Sequence, residues 1–191
     1  SSNENLVYTP GEVVLKVKIF KTVKVKLRND TNKIIISSLS KRPSLIKHAA
    51  LIMKKALSFK NGLEIEVNNS NELRHVGLGS SSGLIASVAC AINEIFGNPI
   101  FPANLVQYLA NNHGEEIDNS LDYINPVQCI GGSASSGLYY GALLILAGQS
   151  RVIQSMKLDK NYHVIIGIPK DFVELDSKII LKKELQVMDK F

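Results

Sequence analysis

The chain has 191 residues, 45% of them hydrophobic and 20% charged, with 22 basic against 17 acidic residues and a formal net charge of +5. That length and apolar content support one domain of ordinary size, or one with a small appendage, and exclude a disordered polymer or a coiled coil. The positive excess suits an anionic ligand but is too mild and too scattered to argue for nucleic acid. Two cysteines, Cys90 and Cys129, both inside apolar runs, give no material for a disulfide framework or a zinc cluster. No stretch reaches the roughly 18 apolar residues of a membrane span, and Ser1-Ser2-Asn3-Glu4-Asn5 lacks the basic and apolar regions of a secretory signal. A reducing cytoplasm is the expected compartment, without a membrane or nucleic-acid partner.

Residues 13–19 and 22–27 are rich in Val, Ile and Lys. The second run alternates Val23, Val25 and Leu27 against Lys24, Lys26 and Arg28, which predicts strands whose basic side chains form a solvated face. Asn29-Asp30-Thr31-Asn32 predicts a turn, and Ile34-Ile35-Ile36 begins another strand. From Pro43 the period changes: Leu45, Ile46, Ala49, Ile52, Met53, Ala56 and Leu57 recur at helical spacing up to a stop near Asn61-Gly62, with His48 a surface or boundary residue. A short strand follows, Leu63, Ile65 and Val67 against Glu64, Glu66 and Asn68. Beyond a loop, Leu84, Ile85, Val88, Ala89, Ile92, Ile95 and Phe96 make an apolar helix ending at Gly97-Asn98-Pro99. Residues 102–112 make another, with Pro102 suited to its first turn. Residues 138–146, 152–158 and 163–168 read as strands, and 176–191 as a final helix or an irregular end. Clustered strands with helices between them predict an α+β fold rather than regular βαβ alternation.

The informative segment is Gly77-Leu78-Gly79-Ser80-Ser81-Ser82-Gly83, immediately before the apolar helix. Glycines permit positive φ and close backbone approach, so successive N–H groups can point into one concavity. The helix behind adds its unpaired N-terminal amides and the positive end of its dipole. Three serine hydroxyls can bond phosphate oxygens or a magnesium ion. The spacing is neither a Walker A sequence, since no lysine follows the last glycine, nor the Gly-x-Gly-x-x-Gly dinucleotide pattern. A serine-capped turn whose glycines serve only packing is the structural alternative.

GLGSSSG, entering an Ala/Val/Ile-rich helix that ends in FGNP, resembles the second motif of the GHMP kinases, the galacto-, homoserine, mevalonate and phosphomevalonate kinases. The similarity extends through FGNPIFPANLVQYLA and NSLDYINPVQCIGG, and Thr9-Pro10-Gly11-Glu12 resembles a weakened first motif, so that residues 10–168 are covered. The resemblance implies the family's N-terminal domain (ribosomal protein S5 domain 2-like) over residues 1–170. Residues 171–191 would be a tail or the start of a second domain that is short or missing. It implies an ATP- and magnesium-dependent kinase acting on a hydroxyl of a homoserine-, mevalonate- or sugar-like metabolite, with a homodimer left open. Gly77, Leu78, Gly79, Ser80, Ser81, Ser82 and Gly83 would hold the triphosphate, Ser81 and Glu115 the magnesium ion, and Asp122, with Asp118 its nearest rival, would be the catalytic carboxylate. Hydroxyl and carboxylate oxygens suit magnesium, and a carboxylate beside the acceptor can orient or take its proton.

Several positions depart from the family pattern. Glu12 stands where the first motif has a basic residue, leaving Lys16, Lys18 or Lys21 to supply the cation, and Leu73 replaces a proline. No third glycine-rich motif follows Gly167. Two other functions stay open: a GHMP-fold ribosyl-phosphate transferase of the β-ribofuranosylaminobenzene 5'-phosphate synthase type, suggested by RHVGLGS, and a nucleotide-binding module without turnover. His113 with Glu115 and Glu116 lacks a second histidine at ligand spacing, which argues against zinc. His75, Tyr139 and Tyr140 read as filling and packing residues. The second Gly-Ser run, residues 131–137, reads as backbone near the nucleotide or a flexible connection.

Overall fold

A computed structural model describes residues 11–69, 76–116, 124–127, 129–168 and 179. Among them the elements run β1 (Glu12–Leu15), β2 (Thr22–Arg28), β3 (Ile34–Ile36), α1 (Pro43–Leu57), β4 (Gly62–Asn68), α2 (Ser80–Ile95), α3 (Pro102–Asn111), β5 (Gly114–Glu116), β6 (Ile124–Pro126), α4 (Gly132–Leu138), β7 (Leu143–Ala147) and β8 (Arg151–Met156). The class is the expected α+β.

Alternation in β4 sets the first sheet. Leu63, Ile65 and Val67 are buried while Glu64, Glu66 and Asn68 face solvent. β2 pairs antiparallel to β4 with Val25 opposite Ile65, and β3 pairs parallel to it with Ile36 opposite Ile65. Parallel neighbours need a crossover, and α1 supplies it. On the solvent face Lys24 meets Glu66 at 3.0 Å and Arg28 meets Glu64 at 3.2 Å, so the basic alternation is a solvated face. Such exposed pairs contribute about 0–1 kcal/mol each. Stability comes from the other face, where Leu45, Ile46, Ala49 and Met53 of α1 and Leu84, Ile85, Val88 and Ile92 of α2 close over β4.

A second, antiparallel sheet has the order β1-β7-β8 and buries Leu144 and Leu146. β5 and β6 form a short antiparallel pair. Asn93 ties down the loop behind α2: its amide donates to the Ile100 carbonyl at 2.9 Å and its Oδ1 accepts from the Ile100 amide at 3.2 Å.

Some expectations are corrected. α1 stops at Leu57, with Ser58 in the left-handed region, not at Asn61-Gly62. Gly62 opens β4, where a Cβ would come within 2.6 Å of the Lys33 carbonyl oxygen. Gly132–Leu138 is helical, and the strand expected from residue 138 begins at Leu143. β1 ends at Leu15 rather than Ile19. Residues 163–168 form no strand; Ile165 is 91% exposed, and the run pairs with no strand among the described residues. The division at residue 170 falls among residues outside those described.

Candidate functional site

α2 begins at a glycine because the chain turns there in a way other residues resist. Gly77 has φ +74° and Gly79, the N-cap, φ +60°, a region that costs residues with a Cβ roughly 1–2 kcal/mol. A Cβ on Gly79 would also collide with the Ser133 side chain in the first turn of α4. The two Gly-Ser runs therefore meet, and α4 walls one side of the loop.

No side chain caps α2 and no acidic residue lies in its first turn. Among the described residues, the amides of Ser80, Ser81 and Ser82 have no protein acceptor. They present orphan donors at the positive end of a 16-residue helix. Lys21 stands beside them: a Cβ on Gly83 would lie 3.7 Å from its Nζ. Lys16 is turned elsewhere and donates to the Tyr139 carbonyl at 2.6 Å, with burial lowering its pKa. The carboxylate of Glu12 accepts from the Gly132 amide at the start of α4.

Arg42, a residue that sequence reasoning missed, organises the carboxylates. It precedes Pro43 in the left-handed region (φ 59°), and its side chain is 2% exposed. Its Nε donates to Glu116 Oε2 at 2.8 Å, Nη2 to Ser81 Oγ at 2.7 Å and to Glu115 Oε2 at 3.4 Å, and Nη1 to Ser80 Oγ at 3.4 Å. One guanidinium thus joins the heads of α1 and α2 to β5. The only sequence signal was a basic residue directly before a helix-opening proline.

Burial pushes the Glu115 carboxyl up, but hydrogen bonds from His113 and Ser81 and the charges of His113 and Arg42 together outweigh it and hold Glu115 below its ordinary value. It is ionised at neutral pH. His113 Nε2 lies 3.3 Å from Glu115 Oε1 and 3.5 Å from Ser82 Oγ. Because one nitrogen faces both groups, the trio cannot relay a proton as a serine nucleophile's triad does through opposite ring nitrogens. Cys129 Sγ is 4.0 Å from Ser82 Oγ, and burial pushes its thiol up, so it is not an activated nucleophile. His113 and Cys129 also line a pocket of about 420 Å³ with Asn111, Val127, Gln149 and Ser150.

The structure brings Ser81 and Glu115 together, as a shared magnesium site requires, but Arg42 stands against both. A magnesium ion bound to Ser81 Oγ would sit within about 5 Å of the guanidinium, the sum of a metal–oxygen bond and the observed hydrogen bond. At an effective dielectric near 20 the repulsion there is about 7 kcal/mol. Glu115 and Glu116 would each attract the ion by a comparable amount, so the obstacle is geometric: Arg42 already occupies Ser81 Oγ and the Oε2 atoms of both carboxylates. In this arrangement the donor set does not fit a resident divalent ion, and among the described residues no cluster of three His, Cys, Asp or Glu could hold one. The loop amides do fit a phosphate. Asp122, Asp118 and His75 lie outside the described residues.

Residues 44–123, from the start of α1 past β5, match the family model for the GHMP kinases N terminal domain. Its fold is similar to that of homoserine kinase from Cytophaga hutchinsonii, with 18% identity, a TM-score of 0.53, and 85% of this chain covered against 50% of that one. Mevalonate diphosphate decarboxylase from Legionella pneumophila matches with 18% identity over 85% of this chain and 50% of its own, TM-score 0.45. A mevalonate kinase matches with 13% identity over 78% and 48%, TM-score 0.47. The chain spans about half the length of these structures. No curated protein matches significantly. No helix among the described residues is long and apolar enough to cross a membrane.

Proposed function

We propose that the head of α2 binds the phosphates of ATP and that the protein transfers a phosphoryl group to a hydroxyl of a small metabolite, homoserine-, mevalonate- or sugar-like. The observation that carries this reading is the set of orphan amides at Ser80, Ser81 and Ser82 behind two positive-φ glycines, with no acid in the first turn and Lys21 alongside. The kinase N-terminal domain match over residues 44–123 supports it, as does the fold similarity to a homoserine kinase.

Phosphoryl transfer asks the protein mainly for alignment and charge neutralisation. The loop amides and helix dipole would receive phosphate oxygens, Lys21 would neutralise charge in place of the basic residue that Glu12 replaces, and Asp122 would orient or deprotonate the acceptor hydroxyl. ATP, when bound, supplies the phosphoryl group. The test is ADP formation by the full chain with homoserine, mevalonate and sugar acceptors, read together with thermal shift by ATP. ADP formed in step with phosphorylated acceptor is expected. Pyrophosphate release from a sugar diphosphate, with ATP ignored, would establish the ribosyl-phosphate transferase instead.

A second reading, a nucleotide-binding module without turnover, is favoured by one observation: Arg42 engages both Ser81 and Glu115. ATP binding with no ADP formed for any acceptor would select it.

A further inference from the structure

We propose that Arg42 is the resident cation of this site: its guanidinium takes the place against Ser81 and Glu115 that a protein-bound divalent ion would need. The head of α2 then receives a phosphate-bearing anion without a metal held by the protein. The statement about phosphate rests on the function proposed above; the statement about metal does not.

The geometry leaves the donor set committed. Ser81 Oγ accepts from Arg42 Nη2 at 2.7 Å. Glu115 Oε2 faces Arg42 and Oε1 faces His113, while Glu116 Oε2 takes the Arg42 Nε at 2.8 Å. A dication entering here must displace a side chain that is 2% exposed, between carboxylates that are 20% and 14% exposed. Removing one partner of such a buried pair leaves the other charge uncompensated. Pro43, with its fixed φ, follows directly, and Arg42 itself holds a left-handed backbone.

Arginine suits the task better than a titrating group. Its guanidinium stays charged at every accessible pH, and its flat fork can reach a helix head and a strand at once. Two carboxylates so near the first turn of α2 would otherwise oppose a polyphosphate seated on the amides. With Arg42 bonded to both, part of that field is cancelled from within the chain, a task that elsewhere falls to a metal.

The experiment titrates the full chain with Mn2+, reading the free ion by electron paramagnetic resonance. Wild type should show no Glu115-dependent site tighter than about 1 mM, and Arg42→Gln should gain one. A tighter wild-type site abolished by Glu115→Gln overturns the proposal, as does a folded Arg42→Gln that gains none. Should Arg42→Gln fail to fold, the comparison of wild type with Glu115→Gln decides. In parallel, calorimetry with ATP in EDTA and in excess Mg2+ should give affinities within about tenfold of each other, and a larger loss in EDTA overturns the proposal. ATP bound in neither buffer removes the nucleotide reading, while the Mn2+ titration still judges the role of Arg42.

Discussion

The carboxylate of Glu12 accepts a hydrogen bond from the amide of Gly132 at 3.0 Å, joining positions 120 residues apart. Gly132 is the first residue of α4, and a Cβ there would collide with the same carboxylate. This acid therefore serves as a charged partner for a helix N-terminus, where negative charge is favoured.

A basic residue at that position should harm the protein. Glu12→Gln keeps an acceptor and loses the charge, at about 0.3–1 kcal/mol. Glu12→Lys puts like charge against the helix end and leaves the Gly132 amide without its acceptor, at about 1–3 kcal/mol. Urea unfolding measures both. An unchanged midpoint for Glu12→Lys would mean that the contact contributes nothing.

If Lys21 supplies the cation at the head of α2, Lys21→Met should weaken ATP binding by about 1.5–3 kcal/mol, the range for a hydrogen bond to a charged group. Its ammonium has no carboxylate partner among the described residues, so the melting temperature without ligand should hardly move. Calorimetry and a thermal melt separate the two effects. Equal loss of stability and affinity would make Lys21 a packing residue.

How much of this was legible in the chain depended on range. The Gly-Ser loop and α2 could be read because turn chemistry and a 3.6-residue period act over a few neighbours. Arg42 could not, since its partners lie 39, 73 and 74 residues away and only the fold brings them together. α4 was read as a loop because Gly132-Ser133-Ala134-Ser135-Ser136-Gly137 has poor intrinsic helix propensity. It is helical because Glu12 takes its first amide and Ala134 is buried in the core. Residues 163–168 erred the other way: an apolar run satisfies strand propensity but finds no neighbour among the described residues to complete a ladder.

Glu115 should give the protein a pH-dependent stability. Its carboxyl is held below its ordinary value because hydrogen bonds from His113 and Ser81 and nearby positive charge outweigh burial. A carboxyl that binds its proton less tightly when folded adds stability above its unfolded value. That stability is lost as pH falls through the folded value. The urea midpoint of the wild type should therefore fall between about pH 5 and about pH 3, and the fall should be shallower in Glu115→Gln. Parallel curves for the two proteins would show that Glu115 does not couple to folding.

The contact between the two Gly-Ser runs predicts a repairable lesion. Gly79→Ala forces a Cβ into the left-handed region, at about 1–2 kcal/mol, and drives it into the Ser133 side chain. The second component belongs to Ser133, so Ser133→Gly in the Gly79→Ala background should recover that part and leave the backbone strain. Ser133→Gly alone sits in the first turn of α4 and should cost about 0.5–1 kcal/mol in helix propensity. A double-mutant cycle in urea should then give a favourable coupling of about 0.5–3 kcal/mol. Simple additivity would mean that the loop moves away from α4 at no cost. The head of α2 would then lack the fixed wall that positions the Ser80–Ser82 amides, and, if that head binds nucleotide as proposed, nucleotide affinity in Gly79→Ala would stay near wild type instead of falling with stability.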